Sequence, residues 1–181
     1  MKRAQAKITE VFKEKGITVE SSLIELKYLK LVMQETLLRL HRVPPLLLPR
    51  SSIEHCQIHG YDVPPKTRLL VNAWAIATDP KYWEEPEVFK PERFEESSID
   101  YKGTNFEFIP FGSGRRMCPG IAVGVANMEL PLAMMLYHFD WKLPAGMKPN
   151  DLELDELGGI TLRKKNALRV IPTAYASSSR I

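Results

Sequence analysis

Cysteine is scarce in this sequence. Its 181 residues hold two, Cys56 and Cys118, too few and too far apart for the disulfide framework of a small secreted domain, and no signal peptide is read ahead of them. A reducing compartment suits that pattern. Charge of one sign is missing too: 25 Lys and Arg against 22 Asp and Glu leave a net charge of +3, with no basic arm of the kind that grips nucleic acid. The one dense basic cluster, Leu162 to Asn166, reads as a solvated turn. No run approaches the ~18 consecutive apolar residues of a spanning helix, so no membrane anchor is read within the chain. Internal repeats are absent, and only the Ser-rich tail, 176–181, has the composition of a disordered segment. What remains, 44% hydrophobic and 26% charged residues, is the composition of one globular domain with a real core, assigned here to 1–181.

Apolar residues at Ala4, Ile8, Val11 and Phe12 share one helical face and predict a first helix from Lys2 to Lys15, stopped by Gly16. Ser22 with Glu25 three residues on has the form of a capping box before a longer helix from Leu23 to Leu40, ending near His41. Beyond it, "LLLPR", "CQIHGYDV" and "TRLLVNA" read as small strands, with one hairpin at His59-Gly60. From Asp79 to Gly120 prolines recur, so no continuous element fits, yet Tyr82, Trp83, Phe89, Phe94, Phe106, Phe108 and Phe111 predict an irregular segment packed down on the core. Ile121 to Phe139 reads as a mostly buried helix, and "WKL", "GITL" and "ALRVI" as terminal strands. The fold class is α+β, mainly helical.

The segment "PFGSGRRMCPG", Pro110 to Gly120, places Cys118 directly before Pro119 and the apolar helix, with Pro119 expected in the first turn. The sulfur then sits at a helix N-terminus, where partial positive charge suits an anionic ligand. Gly112, Gly114 and Gly120 clear side chains from around it so that a large flat group can approach the backbone, and Arg115 and Arg116 add positive charge. The glycines match neither a phosphate-cradling loop nor a dinucleotide fingerprint. A zinc site at His55, Cys56 and His59 is disfavoured, because a hairpin does not turn those side chains to one face. A buried inert cysteine leaves the glycines and arginines unexplained.

Phe111-x-x-Gly114-x-Arg116-x-Cys118-x-Gly120 resembles the haem-ligand signature of the cytochrome P450 family. The resemblance extends through "KYLKLVMQETL", "PLLLPR", "FKPERF" and "FEFIPFGSGRRMCPG", and the wording of "NAWAIATDPKYW", "ELPLAMMLYHFDWKLP" and "GGITLRKKN" is most similar to the plant branch that hydroxylates terpenoids and related apolar metabolites. It implies a partial P450 fold, the C-terminal part, with small sheets, a meander and the Cys loop. It implies haem b, with Cys118 as the axial thiolate on iron, Arg116 and Arg50 on propionates, and Phe111 shielding the sulfur beside Gly112, Gly114 and Gly120. Val43, Leu46 and Leu47, with Ile160, Thr161 and Leu162, match two substrate-lining segments. The implied activity is insertion of one oxygen atom from O2 into a small apolar substrate. Electrons would come from NADPH through NADPH-cytochrome P450 reductase, whose acidic surface Arg115 helps to dock. The implied location is the cytosolic face of the endoplasmic reticulum membrane for the full-length family, whereas the 181 residues alone are expected to be soluble or aggregated in the cytosol.

Two departures stand out. The family's Glu-x-x-Arg, which with the arginine of "PERF" makes a buried charge network, is here stretched: Glu35 and Arg39 are four apart in "QETLLRLHRVPP". An added residue rotates every later side chain by about 100° on an α-helix, placing the pairing with Arg93 in question; a single-turn π-bulge would absorb it. Arg42 also stands where the family has proline. Second, the family's fold is more than twice this length. Its membrane anchor, Trp-x-x-x-Arg propionate contact and oxygen-activating helix have no counterpart in these residues. The alternative expectation is therefore a truncated, non-catalytic product with apolar surface exposed.

Overall fold

The computed structural model describes residues 1–15, 20–41, 44–158 and 163–174. Val43, Ile160, Thr161, Leu162 and the Ser-rich tail lie outside the described residues, and the apolar segment Gly159 to Leu162 with them.

Helix α1, Lys2–Lys15, forms as its periodicity predicts and buries Ala4, Ile8 and Phe12. The long second helix is divided. A short α2, Glu20–Ile24, ends before Leu26, and α3, Lys27–Met33, begins after it. Ser22 therefore lies inside α2 rather than capping a long helix. The break drives Leu26 into the core at 2% exposure while Ile24 stays at 70%.

The chain then widens into a π-helix from Gln34 to Leu40, closed by a bond of 2.8 Å from the His41 N–H to the Thr36 carbonyl. This is where the extra leucine sits. Leu37 is exposed while Glu35, Leu38 and Arg39 remain buried, so the added residue is pushed to the surface and the inward face keeps its composition.

Strands are short and pair in twos. β1, Arg50–Ser51, pairs with β4, Arg68–Leu69; β2, Cys56–Ile58, and β3, Tyr61–Val63, form the hairpin. His59 and Gly60 both have positive φ, 49° and 84°, as a two-residue hairpin turn that matches the strand twist demands. Leu46 to Pro49, expected as strand, join no sheet, since backbone bonds there are turn-like, Leu47 N–H to the Pro44 carbonyl at 3.3 Å.

Helix α4, Ala73–Ala77, is capped by the Asn72 side chain, which accepts from the Ala75 N–H. After the meander comes α5, Ile121–His138, then β5, Phe139–Lys142, a pairing of β6, Glu156–Leu157, with β7, Arg163–Lys164, and finally β8, Ile171–Ala174, antiparallel to β5. The last strand thus begins where "ALRVI" was expected to end.

Helix α5 departs from two expectations. It is not mostly buried: Ala133 and Glu129 are, but Val123, Leu130 and Met135 face outward. Its 18 residues, of mean hydropathy 1.2, are also long and apolar enough by length and composition to cross a membrane. Counting unbroken apolar runs overlooks it, because Gly124, Asn127 and Glu129 interrupt the run without lowering the average far. Here its inward face packs with Ile8, Phe12, Leu26, Leu29 and Met33 of the first helices.

A second core lies under the meander, where Trp83, Phe94 and Phe108 surround Leu38. The three rings stand 5.2 to 5.9 Å apart, centre to centre, in tilted and edge-on arrangements that favour aromatic quadrupoles. Tyr82, Phe89 and Phe106, expected to pack inward, are half exposed or more. Aromatic density thus marks a packed segment without saying which rings face the core.

Candidate functional site

Beneath the second core is a closed charge network. Arg39 Nε and Nη2 reach the two Glu35 oxygens, each at 2.7 Å, and both side chains are fully buried. Arg93 Nε joins the same carboxylate at 3.1 Å, and the Lys90 backbone N–H adds a bond at 2.9 Å. The remaining guanidinium donors find main-chain oxygens: Arg39 on Ala77, Pro86 and Val88, Arg93 on Glu84, Glu85 and Val88. Arg39 also lies over the Trp83 ring, 5.3 Å from its centre. The π-turn brings Glu35 and Arg39 together at four-residue spacing, and Arg93 is retained as third partner.

The Cys118 loop opens on a cavity of about 670 Å³ lined by Pro44, Leu47, Leu48, Arg50, Phe111, Cys118 and neighbouring loop residues. The loop is built from tight turns. The Gly112 N–H bonds the Ile109 carbonyl, the Cys118 N–H bonds the Phe111 carbonyl at 3.0 Å, and a short 3-10 turn spans Gly114–Arg116. Gly112 and Gly114 have φ of 77° and 72°, conformations that a side chain would strain. Helix α5 starts at Ile121 with Gly120 as its N-cap, so Pro119 precedes the cap instead of filling the first turn. The Cys118 thiol is free and exposed. A Cβ on Gly120 would stand 3.9 Å from its sulfur, an ordinary contact, so that glycine leaves room beside the thiol without being forced by a clash.

Arg50, at the start of β1, donates from Nη2 to the Arg116 carbonyl at 2.8 Å and ties the strand to the loop. Phe111 packs edge-on against Tyr101, centres 5.8 Å apart. Of the leucines expected at a pocket, Leu47 lines the cavity, as does Leu48, while Leu46 does not.

Gly103 supports the loop and carried no signal beyond a turn-like Lys-Gly pair. With φ of 86°, it allows Met117 Sδ to approach where a Cβ would meet it at 2.8 Å. Tyr101 and Met117 were likewise not read from the sequence. Among the described residues, no group of three or more His, Cys, Asp or Glu is placed to hold a metal ion.

The cytochrome P450 family model matches residues 1–170. The chain belongs to the cytochrome P450 family. Similar plant proteins include cytochrome P450 71D10 of Glycine max, 58% identical over 95% of this chain and 34% of its own length. Another is premnaspirodiene oxygenase of Hyoscyamus muticus, 55% identical over 97% and 35%. A third, 5-epiaristolochene 1,3-dihydroxylase of Nicotiana tabacum, shows the same identity and coverage. A zebra fish cytochrome P450 solved with abiraterone superposes with a TM-score of 0.84 at 31% identity, covering 97% of this chain and 40% of that one. The architecture is thus a partial P450 fold of helices and small sheets, and the chain spans about a third of the length of these plant relatives.

Proposed function

We propose that this chain carries the thiolate side of a haem b site, and that Cys118 is the axial ligand to iron. The observation that carries the reading is a single exposed thiol at the mouth of an apolar, arginine-flanked cavity. The donor set suits the group: a soft sulfur for iron, leucine and proline walls for a porphyrin face, and Arg50, Arg115 and Arg116 for its carboxylates. When bound, a haem-thiolate supplies the chemistry of O2 activation.

The chain's own residues do the holding. Gly112 and Gly114 let the loop turn tightly beside the sulfur, and Phe111, braced by Tyr101, screens one side from water. Arg116 and Arg50 take propionate oxygens, Arg50 exchanging its Arg116 carbonyl for one of them. The activity inferred for the whole protein is hydroxylation of a small apolar metabolite such as a terpenoid, supported by the activities for which the plant relatives are named. NADPH-cytochrome P450 reductase is the inferred electron donor, docking near Arg115, and the inferred place is the cytosolic face of the endoplasmic reticulum membrane. Leu47 and Leu48 belong to the inferred substrate side. Val43, Ile160, Thr161 and Leu162 remain assigned there by resemblance alone.

A carbon-monoxide difference spectrum of the reduced, haem-reconstituted chain tests the ligand. A thiolate-type Soret band is expected, and it should vanish in Cys118→Ala while the unfolding midpoint stays unchanged. The same band in Cys118→Ala would overturn the assignment, as would failure of the folded chain to take up haem.

A further inference from the structure

Helix α5 carries one acidic residue, Glu129, and it points into the molecule. The residue is 7% exposed, and its Oε1 has no hydrogen-bond donor within bonding distance. The group that approaches is Lys30 of α3, whose Nζ stands 3.6 Å from that oxygen and bonds the Ile24 carbonyl at 3.1 Å. A buried carboxylate in this state is an unusual thing for a fold to keep, because an ionised group without bonded partners is costly in an apolar interface.

Helix α5 packs against α1 and α3, and its Met128 packs against the second core, as Tyr101 of the meander does. From α3 the charge that faces the carboxyl is Lys30; the titratable groups that the meander brings to that side are Tyr101 and Asp100. From α1, the third element against α5, the contributions to the shared core are the apolar Ile8 and Phe12. Burial pushes the Glu129 carboxyl pKa above its usual value, with Lys30 pulling it partly back. Burial first, then Glu129 and Asp100, raises the Tyr101 phenol as well. Tyr101 is the ring against Phe111 and packs against the second core together with Met128, the neighbour of Glu129 on α5, so the helix that carries the carboxyl also meets the brace of the Cys118 loop.

We propose that Glu129 is a positioning residue: through Lys30 and Tyr101 it sets how firmly α5 and the Cys118 loop are seated on α3, and it does so as a function of pH. At acid pH the carboxyl is neutral in folded and unfolded chains alike, and the interface closes without a buried charge. As pH rises the unfolded chain releases this proton first. The folded chain binds more protons through that window, so stability falls with rising pH until Glu129 ionises in the folded state. Above that point an imperfectly paired charge sits between α3 and α5, and the seat is loosest.

The test reads folding and exchange alone, so its failure is distinguishable from failure of the haem reading. Urea midpoints of the full 181-residue chain are measured from pH 5 to 9 for the unsubstituted protein, Glu129→Gln and Lys30→Met. The unsubstituted chain should lose stability as pH rises from the ordinary carboxyl range and level off once Glu129 has ionised in the folded chain, and Glu129→Gln should lose most of that decline and unfold at higher urea at pH 8. Lys30→Met should extend the decline to higher pH. Peptide-resolved hydrogen exchange at pH 8 should show slower exchange across 112–130 in Glu129→Gln. Identical pH profiles for the Gln variant and the unsubstituted chain would overturn the proposal, and so would faster exchange or failure to fold in the Gln variant.

Discussion

The charge network and the Cys118 loop are built by opposite means. In the network, Glu35 and Arg39 are fully buried, and their polar atoms bond carboxylate, guanidinium or main-chain carbonyl within the chain. In the loop, Cys118, Arg115 and Arg116 face outward, and the shape is held by turns, positive-φ glycines and one guanidinium-to-carbonyl tie. The first region stabilises the fold and presents nothing to a ligand. The second presents an exposed thiol and two exposed guanidinium groups. Dense internal bonding and exposed polar groups thus fall to different segments, joined through the aromatic core on which Phe111 and Arg39 both pack.

Substitutions can widen or collapse that contrast. The largest effect is expected for Arg39→Met, which leaves Glu35 buried with its main partner gone and should cost about 3–5 kcal/mol in urea unfolding; a loss below about 1 kcal/mol would mean the network is ornamental. Gly103→Ala comes next. A side chain at φ of 86° against Met117 should cost about 1–3 kcal/mol and raise hydrogen exchange across the loop. Arg50→Ala removes one partly exposed bond and should cost about 1 kcal/mol, with its signature in faster exchange of the Met117 and Cys118 amides. Smallest is deletion of Leu37: it removes the exposed residue of the π-turn and leaves Glu35 and the arginine at an α-helical spacing that still lets them meet. A midpoint within about 0.5 kcal/mol of the parent, or above it, is expected, and a collapse of stability would show that the wide turn is required.

Much of this was readable in the residues, for identifiable reasons. The widened turn came from the resemblance, because one residue more than the family's Glu-x-x-Arg must either rotate the later side chains away from Arg93 or change the helix. The hairpin came from His59-Gly60, a pair able to take positive φ. The break at Leu26 was not readable, since "SLIELKYL" satisfies helical periodicity throughout and tertiary burial of Leu26 decided the matter. Nor were the acceptors of Arg39 and Arg93, because carbonyls of Ala77, Pro86 and Val88 exist at every residue and leave no mark in the side-chain code. At the loop, the spacing of Cys118, Arg116 and the glycines was legible, while its supports, Gly103 and Tyr101, come from a segment whose irregular path carries no periodicity to trace.

The π-turn has a bearing on how such a chain tolerates change in length. A helix buried among aromatic rings is a poor place for an inserted residue, since each later side chain would otherwise arrive about 100° out of phase. Here the excess is absorbed within seven residues, Gln34–Leu40, and downstream Arg50 still reaches the Cys118 loop. The turn works as an expansion joint, taking up one residue of length locally so that the inward side chains on either side keep their places.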